Sequence, residues 1–287
     1  MQIWQDRFFK PTIVVLLLSF LLAGCSTRFV YNQLDWLAPW YLEDYVTIEN
    51  YQQDDFTASL DSVLDWHRAT QLMRYADFLE TFSNEIQASA SEQSVAEYFV
   101  QLDGFIQTLF NQFGAAFSPL LAVMNAEQQA ELFANLTDKN LEYYEDSVLI
   151  GEAKSKQKNK ERVQDFLEDW LDDLTDNQTK MIAQWSAELD WLAPGFYQNR
   201  QAWQGHLKAL FSEQRSNKKQ NIAMMFQDRR QFWSKDLKQR FLHNQQVTAD
   251  FIVNLINSLD SKQKQALVKN LKQYEADFRL LASQSSR

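Results

Sequence analysis

The chain has 287 residues, 45% of them hydrophobic and 14% aromatic, and a formal net charge of −10. That is enough apolar material for one large or two small helical domains. The single cysteine excludes an intramolecular disulfide, so the core must hold without staples.

The chain opens with a leader pattern. Arg7 and Lys10 give a positive start, and Thr12 to Leu22 form an apolar run of 11 residues. A membrane-crossing helix needs roughly 20 residues, so this run is too short to span. Ala23 and Gly24 are small enough for a peptidase cleft, and Cys25 follows in register. The expectation is a lipoprotein signal over residues 1–24, with cleavage between Gly24 and Cys25. Cys25 then carries S-diacylglycerol and an N-acyl chain. Two or more chains anchor stably, at about 0.8 kcal/mol per buried CH₂. The other reading is an ordinary secretory leader with an incidental cysteine. Ser26, where Asp would retain an inner-membrane lipoprotein, points to the periplasmic face of the outer membrane. Once lipidated, Cys25 leaves no thiol for zinc or nucleophilic chemistry.

Residues 25–48 form an aromatic-rich segment: Phe29, Tyr31, Trp36, Trp40, Tyr41 and Tyr45. These rings either settle among lipid headgroups or pack on the helical body, with Pro39 opening a helix. Leu34, Leu37 and Leu42 in the same segment favour packing.

From residue 49 to 287 the expectation is one all-helical domain, or two halves meeting near residues 175–200. Few prolines and glycines interrupt it. Apolar residues at helical intervals run from Phe56 through Leu60, Val63, Leu64, Leu72, Tyr75, Phe78, Leu79 and Phe82 to Ile86, which predicts one long helix. Val95, Tyr98, Phe99, Leu102, Phe105, Ile106, Leu109 and Phe113 predict another. No segment alternates with period two, so the fold class is all-α, an elongated or curved bundle of amphipathic helices.

Helix starts recur. Leu174-Thr175-Asp176-Asn177-Gln178 is a capping box. Met124-Asn125-Ala126-Glu127-Gln128 and Leu259-Asp260-Ser261-Lys262-Gln263 are looser versions, and Val46-Thr47-Ile48-Glu49 opens the first helix similarly, with Gln52 or Gln53 displaced. In the first three an apolar residue precedes the cap and another lies seven after it, at Leu132, Ile182 and Leu267. The intervals are unequal, which excludes a fixed-period solenoid. Leu34 to Pro39 recurs word for word as Leu189 to Pro194, a coincidence or a reused corner.

Charge is unevenly distributed. Residues 33–103 hold 14 acidic and 2 basic residues, whereas residues 200–240 hold 3 acidic and 10 basic. The two segments either dock on one another or serve separate partners. Arg215, Lys218, Lys219, Arg229, Arg230, Trp233 and Lys235 form the candidate interaction surface, for an envelope protein, lipopolysaccharide or anionic lipid. Nucleic acid is not expected at an envelope address, although basic residues interleaved with aromatics superficially fit it. Lys154 to Lys160 form a second basic run, read as a solvated loop or helix face.

No catalytic constellation stands out. His67, His206 and His243 lack metal-ligand spacing, and no phosphate loop, dinucleotide fingerprint or serine elbow is present. His67 falls on an apolar stripe and reads as a hydrogen-bonded histidine of the core boundary. No metal or cofactor is expected and catalytic residues are none. An enzyme acting on peptidoglycan or lipid, through a carboxylate pair, is the remaining alternative.

Two resemblances add to this. Leu174 to Gln178 matches LTxxQ and resembles the signature of small helical periplasmic chaperones and stress sensors. The resemblance implies a curved hairpin that cradles unfolded clients. More of the chain is similar to an uncharacterised family of gammaproteobacterial lipoproteins. The residues that carry this are Cys25 to Asn32, Leu34-Asp35-Trp36-Leu37, Trp40 to Val46, Leu64-Asp65-Trp66-His67-Arg68 and Arg74 to Leu79. It implies the envelope address and the helical architecture, with no activity attached. The function expected from the whole is a lipid-anchored protein that binds through a helical surface without catalysis.

Overall fold

The computed structural model describes residues 24–212 and 217–284, with side chains from Thr27. Residues 1–23, on which the expected leader falls, the Cys25 side chain and Arg215 lie outside that description. Among the described residues there are helices and no strands, as the hydrophobic period predicts. The chain runs through α1 (Gly24–Tyr31), α2 (Leu34–Leu42), α3 (Gln53–Thr70), α4 (Leu72–Ala88), α5 (Glu92–Ala122) and α6 (Ala126–Tyr143). It continues through α7 (Gly151–Leu171), α8 (Asp176–Glu188), α9 (Ala193–Ser212), α10 (Lys218–Met224), α11 (Lys235–Ser258) and α12 (Ser261–Ser283).

Side-chain caps set five of the starts. Ser91, Asn125, Thr175, Ser234 and Asp260 each accept a backbone N–H three residues on. Such a cap contributes about 0.5–2 kcal/mol. Between α6 and α7 a π turn over Tyr144–Val148 leads to Gly151, whose φ of 77° suits a residue without a Cβ. Helix α7 stops at Asp172, at φ 70°.

Four of these starts share one layout. Asn125, Thr175 and Asp260 cap with glutamine at the third helical position: Gln128, Gln178 and Gln263. The first start shares the register too, but its cap is Glu49 and not Thr47. Gln52 Oε1 accepts the Glu49 N–H at 3.2 Å, and a 3₁₀ turn over Asn50–Gln52 leads into α3. Thr47 is held elsewhere, because its N–H and hydroxyl both donate to the Glu131 carboxylate, at 2.9 and 2.8 Å. All four glutamines are buried, and they pair. Gln52 and Gln128 exchange amide bonds at 3.2 and 2.6 Å, and Gln128 Nε2 also donates to Thr47 O. Gln178 and Gln263 exchange bonds at 2.9 Å each way, and Gln263 Nε2 reaches Asp173 O. Each glutamine thus caps its own helix and bolts that helix start to another, far away in sequence.

Three apolar clusters fill the interior. Val46, Met124 and Leu132 pack with Leu207, Leu210, Phe211, Ile222 and Met225, beneath the first glutamine pair. Leu167, Leu171, Ile182, Leu255 and Leu259 pack beneath the second. Ile86, Ala90 and Val95 meet Ala249, Ile256, Val268 and Leu271 from α11 and α12. Helix α12 lies most extensively along α4, so the end of the chain returns to its first third.

Three local expectations change. The run from Phe56 to Ile86 is two helices, divided at Gln71 (φ −106°, ψ −40°), whose buried amide is fixed by Thr70 and Arg74. Pro39 lies inside α2 and not at a helix start. The repeated sextet takes two conformations, helical over residues 34–39 but extended at Leu189, where α8 ends. There Asn244 stitches the Asp190 backbone, accepting from its N–H at 2.7 Å and donating to its O at 2.9 Å. Context on α11, not the six residues, decides. Of the two alternatives for Lys154 to Lys160, loop or helix face, the run takes the helix, on α7.

Candidate functional site

Helix α5 carries a row of apolar residues open to solvent. Leu102, Ile106, Phe110 and Phe113 are each 41–43% exposed. Their spacing of four, four and three residues places them on one helical face. The flanks of that face are packed. On one side Gln107 donates to the carbonyls of Phe226 and Gln227, both at 2.9 Å, and Gly114 lies under the Phe226 ring. On the other, Phe105 meets Tyr75 and Phe78 edge to face, and Tyr98 meets Phe78 and Phe82. The sequence pattern included Leu102, Ile106 and Phe113 but did not distinguish them from buried Val95 and Tyr98. Periodicity finds an apolar stripe and cannot say whether a second element covers it.

The second feature is the joint where α1 meets the body. Arg28 Nε lies 3.0 Å from Asp277 on α12. Tyr31 shares a hydrogen bond of 2.9 Å with His67 Nδ1 on α3. Arg68 donates to Asn32 Oδ1 at 3.1 Å and to Leu281 O at 3.1 Å, and its guanidinium lies 4.9 Å from the Tyr31 ring centroid. Burial, helped by the neighbouring Arg68 charge, pushes His67 down to about 4, so it is neutral at pH 7. Burial raises Tyr31 to about 12 against the opposing pull of Arg68, and raises Tyr75 likewise to about 12. Asp277 is raised by burial despite Arg28, and its second oxygen has no hydrogen-bond partner. His67 is held by Tyr31, as a boundary histidine would be.

The basic segment is partly turned inward. Arg229 and Arg230 both pair with Asp103 on α5. Arg230 also lies over Trp233 and Phe241, at 5.1 and 4.9 Å, and Trp233 meets Phe196 and Phe241 edge to face. Burial, then the Arg230 charge, lower Arg229 from its usual value. Lys218 donates to Phe211 O at 3.0 Å. Lys219 and Lys235 are exposed on α10 and at the start of α11, and Arg215 lies outside the described residues. So the six described candidates divide between internal docking and solvent, and Asp103 is the acidic partner that composition alone did not identify.

The other histidines are dispersed. His206 packs on Phe232, and His243 Nε2 lies 3.2 Å from Glu188 O. No cluster of three or more His, Cys, Asp or Glu suited to a metal occurs among the described residues. A groove of about 510 Å³ between α6 and α9 is lined by Ala126, Ala130, Phe133, Lys208 and Phe211, without a carboxylate. No described helix is long and apolar enough to cross a membrane.

A family model, described as a family of unknown function, matches residues 44–238. The matched range begins beyond α2 and ends in the first turn of α11. No curated protein and no solved structure matches the chain.

Proposed function

The chain belongs to DUF6279, a family of unknown function, and we propose that it is a lipid-anchored envelope protein that binds apolar polypeptide segments without catalysis. The anchor is Cys25, at the end of the apolar leader run, on the periplasmic face of the outer membrane. The observation that carries the binding reading is the face of Leu102, Ile106, Phe110 and Phe113 on α5. Contiguous exposed apolar surface of this kind marks interaction sites more often than it tolerates water. Leu102 to Phe113 extends about 17 Å at 1.5 Å per residue. That length suits a bound segment with anchors every three or four residues.

A holdase activity is the second reading. The four glutamine boxes favour it, since all repeat the spacing for which Leu174 to Gln178 resembles LTxxQ chaperones. A photoreactive residue in place of Phe110 tests both in cells. Crosslinks to envelope polypeptides at position 110, absent at Lys235, are expected. If Ile106→Asp with Phe110→Asp leaves crosslinking at a neighbouring α5 position and protection of an aggregating client unchanged, the α5 reading fails.

A further inference from the structure

The aromatic residues next to Cys25 divide into two sets. Tyr31 stacks on His67 at 5.7 Å, and Tyr41 meets Tyr45 edge to face at 5.5 Å. Tyr45 joins the partly buried shell around Val46. These tyrosines belong to the body. Phe29 and Trp36 are instead 68% and 64% exposed, and Trp40 is 46% exposed. Helix α2, which carries both tryptophans, has no buried residue although most of its residues are apolar. Trp36 and Trp40, four apart, share one side of α2, and Phe29 is exposed on the neighbouring α1. Only the short bend at Asn32–Gln33 separates α1 from α2, and it is bridged by hydrogen bonds from Asn32 and Gln33 N–H to Arg28 and Val30 O.

We propose that Phe29, Trp36 and Trp40 form a membrane-seating face, which inserts at the headgroup layer of the bilayer that holds the lipid on Cys25. The occupant is a lipid surface because Phe29 lies only four residues after the anchored cysteine. Indole rings such as Trp36 and Trp40, with an apolar body and an N–H edge, are favoured at that depth, and Phe29 adds apolar surface beside them. This inference rests on the proposed anchor and goes beyond it, since it fixes which side of the body faces the bilayer. The joint is built to transmit that orientation: Arg28–Asp277, Tyr31–His67 and the Arg68 bonds tie α1 to α12 and α3. Seating is apolar and not electrostatic, because α2 carries no basic residue and a single acid, Asp35. Anionic lipid therefore does not strengthen it.

The test uses the protein purified from membranes in its native processed form, placed in phosphatidylethanolamine–phosphatidylcholine vesicles whose acyl chains carry bromine, a short-range quencher of indole emission. Emission from Trp36 and Trp40 is the difference between the native protein and Trp36→Phe with Trp40→Phe. That difference should be quenched roughly twofold more than the remaining tryptophans, as rings at the interface require, and no more strongly when phosphatidylglycerol is added. Phe29→Trp, at an exposed position, should add a third quenched emitter and guards against misfolding of the double variant. Equal quenching of all tryptophans, and of Trp at position 29, overturns the inference. Intact mass on the same sample separates the two claims. Without quenching but with lipid on Cys25, only the seating face fails; quenching with a free thiol supports the face and removes the anchor.

Discussion

At the scale of single residues, the buried glutamines do two jobs at once. Gln178 Oε1 accepts the Thr175 N–H at 2.9 Å while its amide exchanges bonds with Gln263. Leaving a buried amide unmatched costs about 1–3 kcal/mol, more than a typical net hydrogen bond contributes. Gln178→Ala should therefore lower unfolding free energy by about that amount in a urea titration, and Thr175→Ala by about 0.5–2 kcal/mol. Equal, negligible losses would mean that the pair is incidental. His67 gives a pH-dependent term of defined sign. Its folded value near 4 lies below the usual 6.5, so the unfolded chain binds the extra proton between those values. Stability is then fully present above about pH 6.5 and is lost as pH falls toward 4, by up to about 3 kcal/mol. Arg68, beside the imidazole, adds to this loss, whereas Asp277 at the same joint is raised and acts in the opposite direction. In His67→Gln the acid sensitivity between pH 6.5 and 4 should flatten; an unchanged profile would assign it to other groups.

At the scale of elements, the contact between α5 and the basic segment is tight enough to test by one methyl group. A Cβ on Gly114 would come 2.5 Å from Phe226 Cβ and 2.8 Å from Cγ, atoms close to the backbone that cannot swing away. Gly114→Ala gains helix propensity yet should destabilise by about 1–3 kcal/mol through overpacking. Hydrogen exchange should then rise across residues 218–233 before α12. If exchange is unchanged there, the segment is not held by this seat. Helix type and three starts are legible in the sequence, because periodicity and capping residues are local signals. Asn125, Thr175 and Asp260 were read in the register they occupy. Glu49 was not, because glutamate is an unusual cap and Thr47 offered a better one until Glu131 claimed it. The break at Gln71 and the second conformation of Leu189 to Pro194 depend on neighbours distant in the chain, which no local pattern encodes.

At the scale of the whole molecule, the charge asymmetry has a physical counterpart inside the fold. Asp103, the last acid of the acidic segment, takes both Arg229 and Arg230. Part of the basic surface is thus consumed internally, which leaves Lys219 and Lys235 outward. The candidate binding face was only half legible for the same reason that the break was missed. Its residues could be found by spacing, but their exposure follows from where α10 and α4 stop covering α5. The α1 joint then connects that body to the residue proposed to carry the lipid. Intact mass spectrometry of the native protein, extracted from membranes, tests this most directly. The account predicts a chain beginning at Cys25 and carrying diacylglycerol and an amide-linked acyl chain, with Cys25→Ser lost from the membrane fraction. A retained leader or an unmodified Cys25 thiol would contradict it.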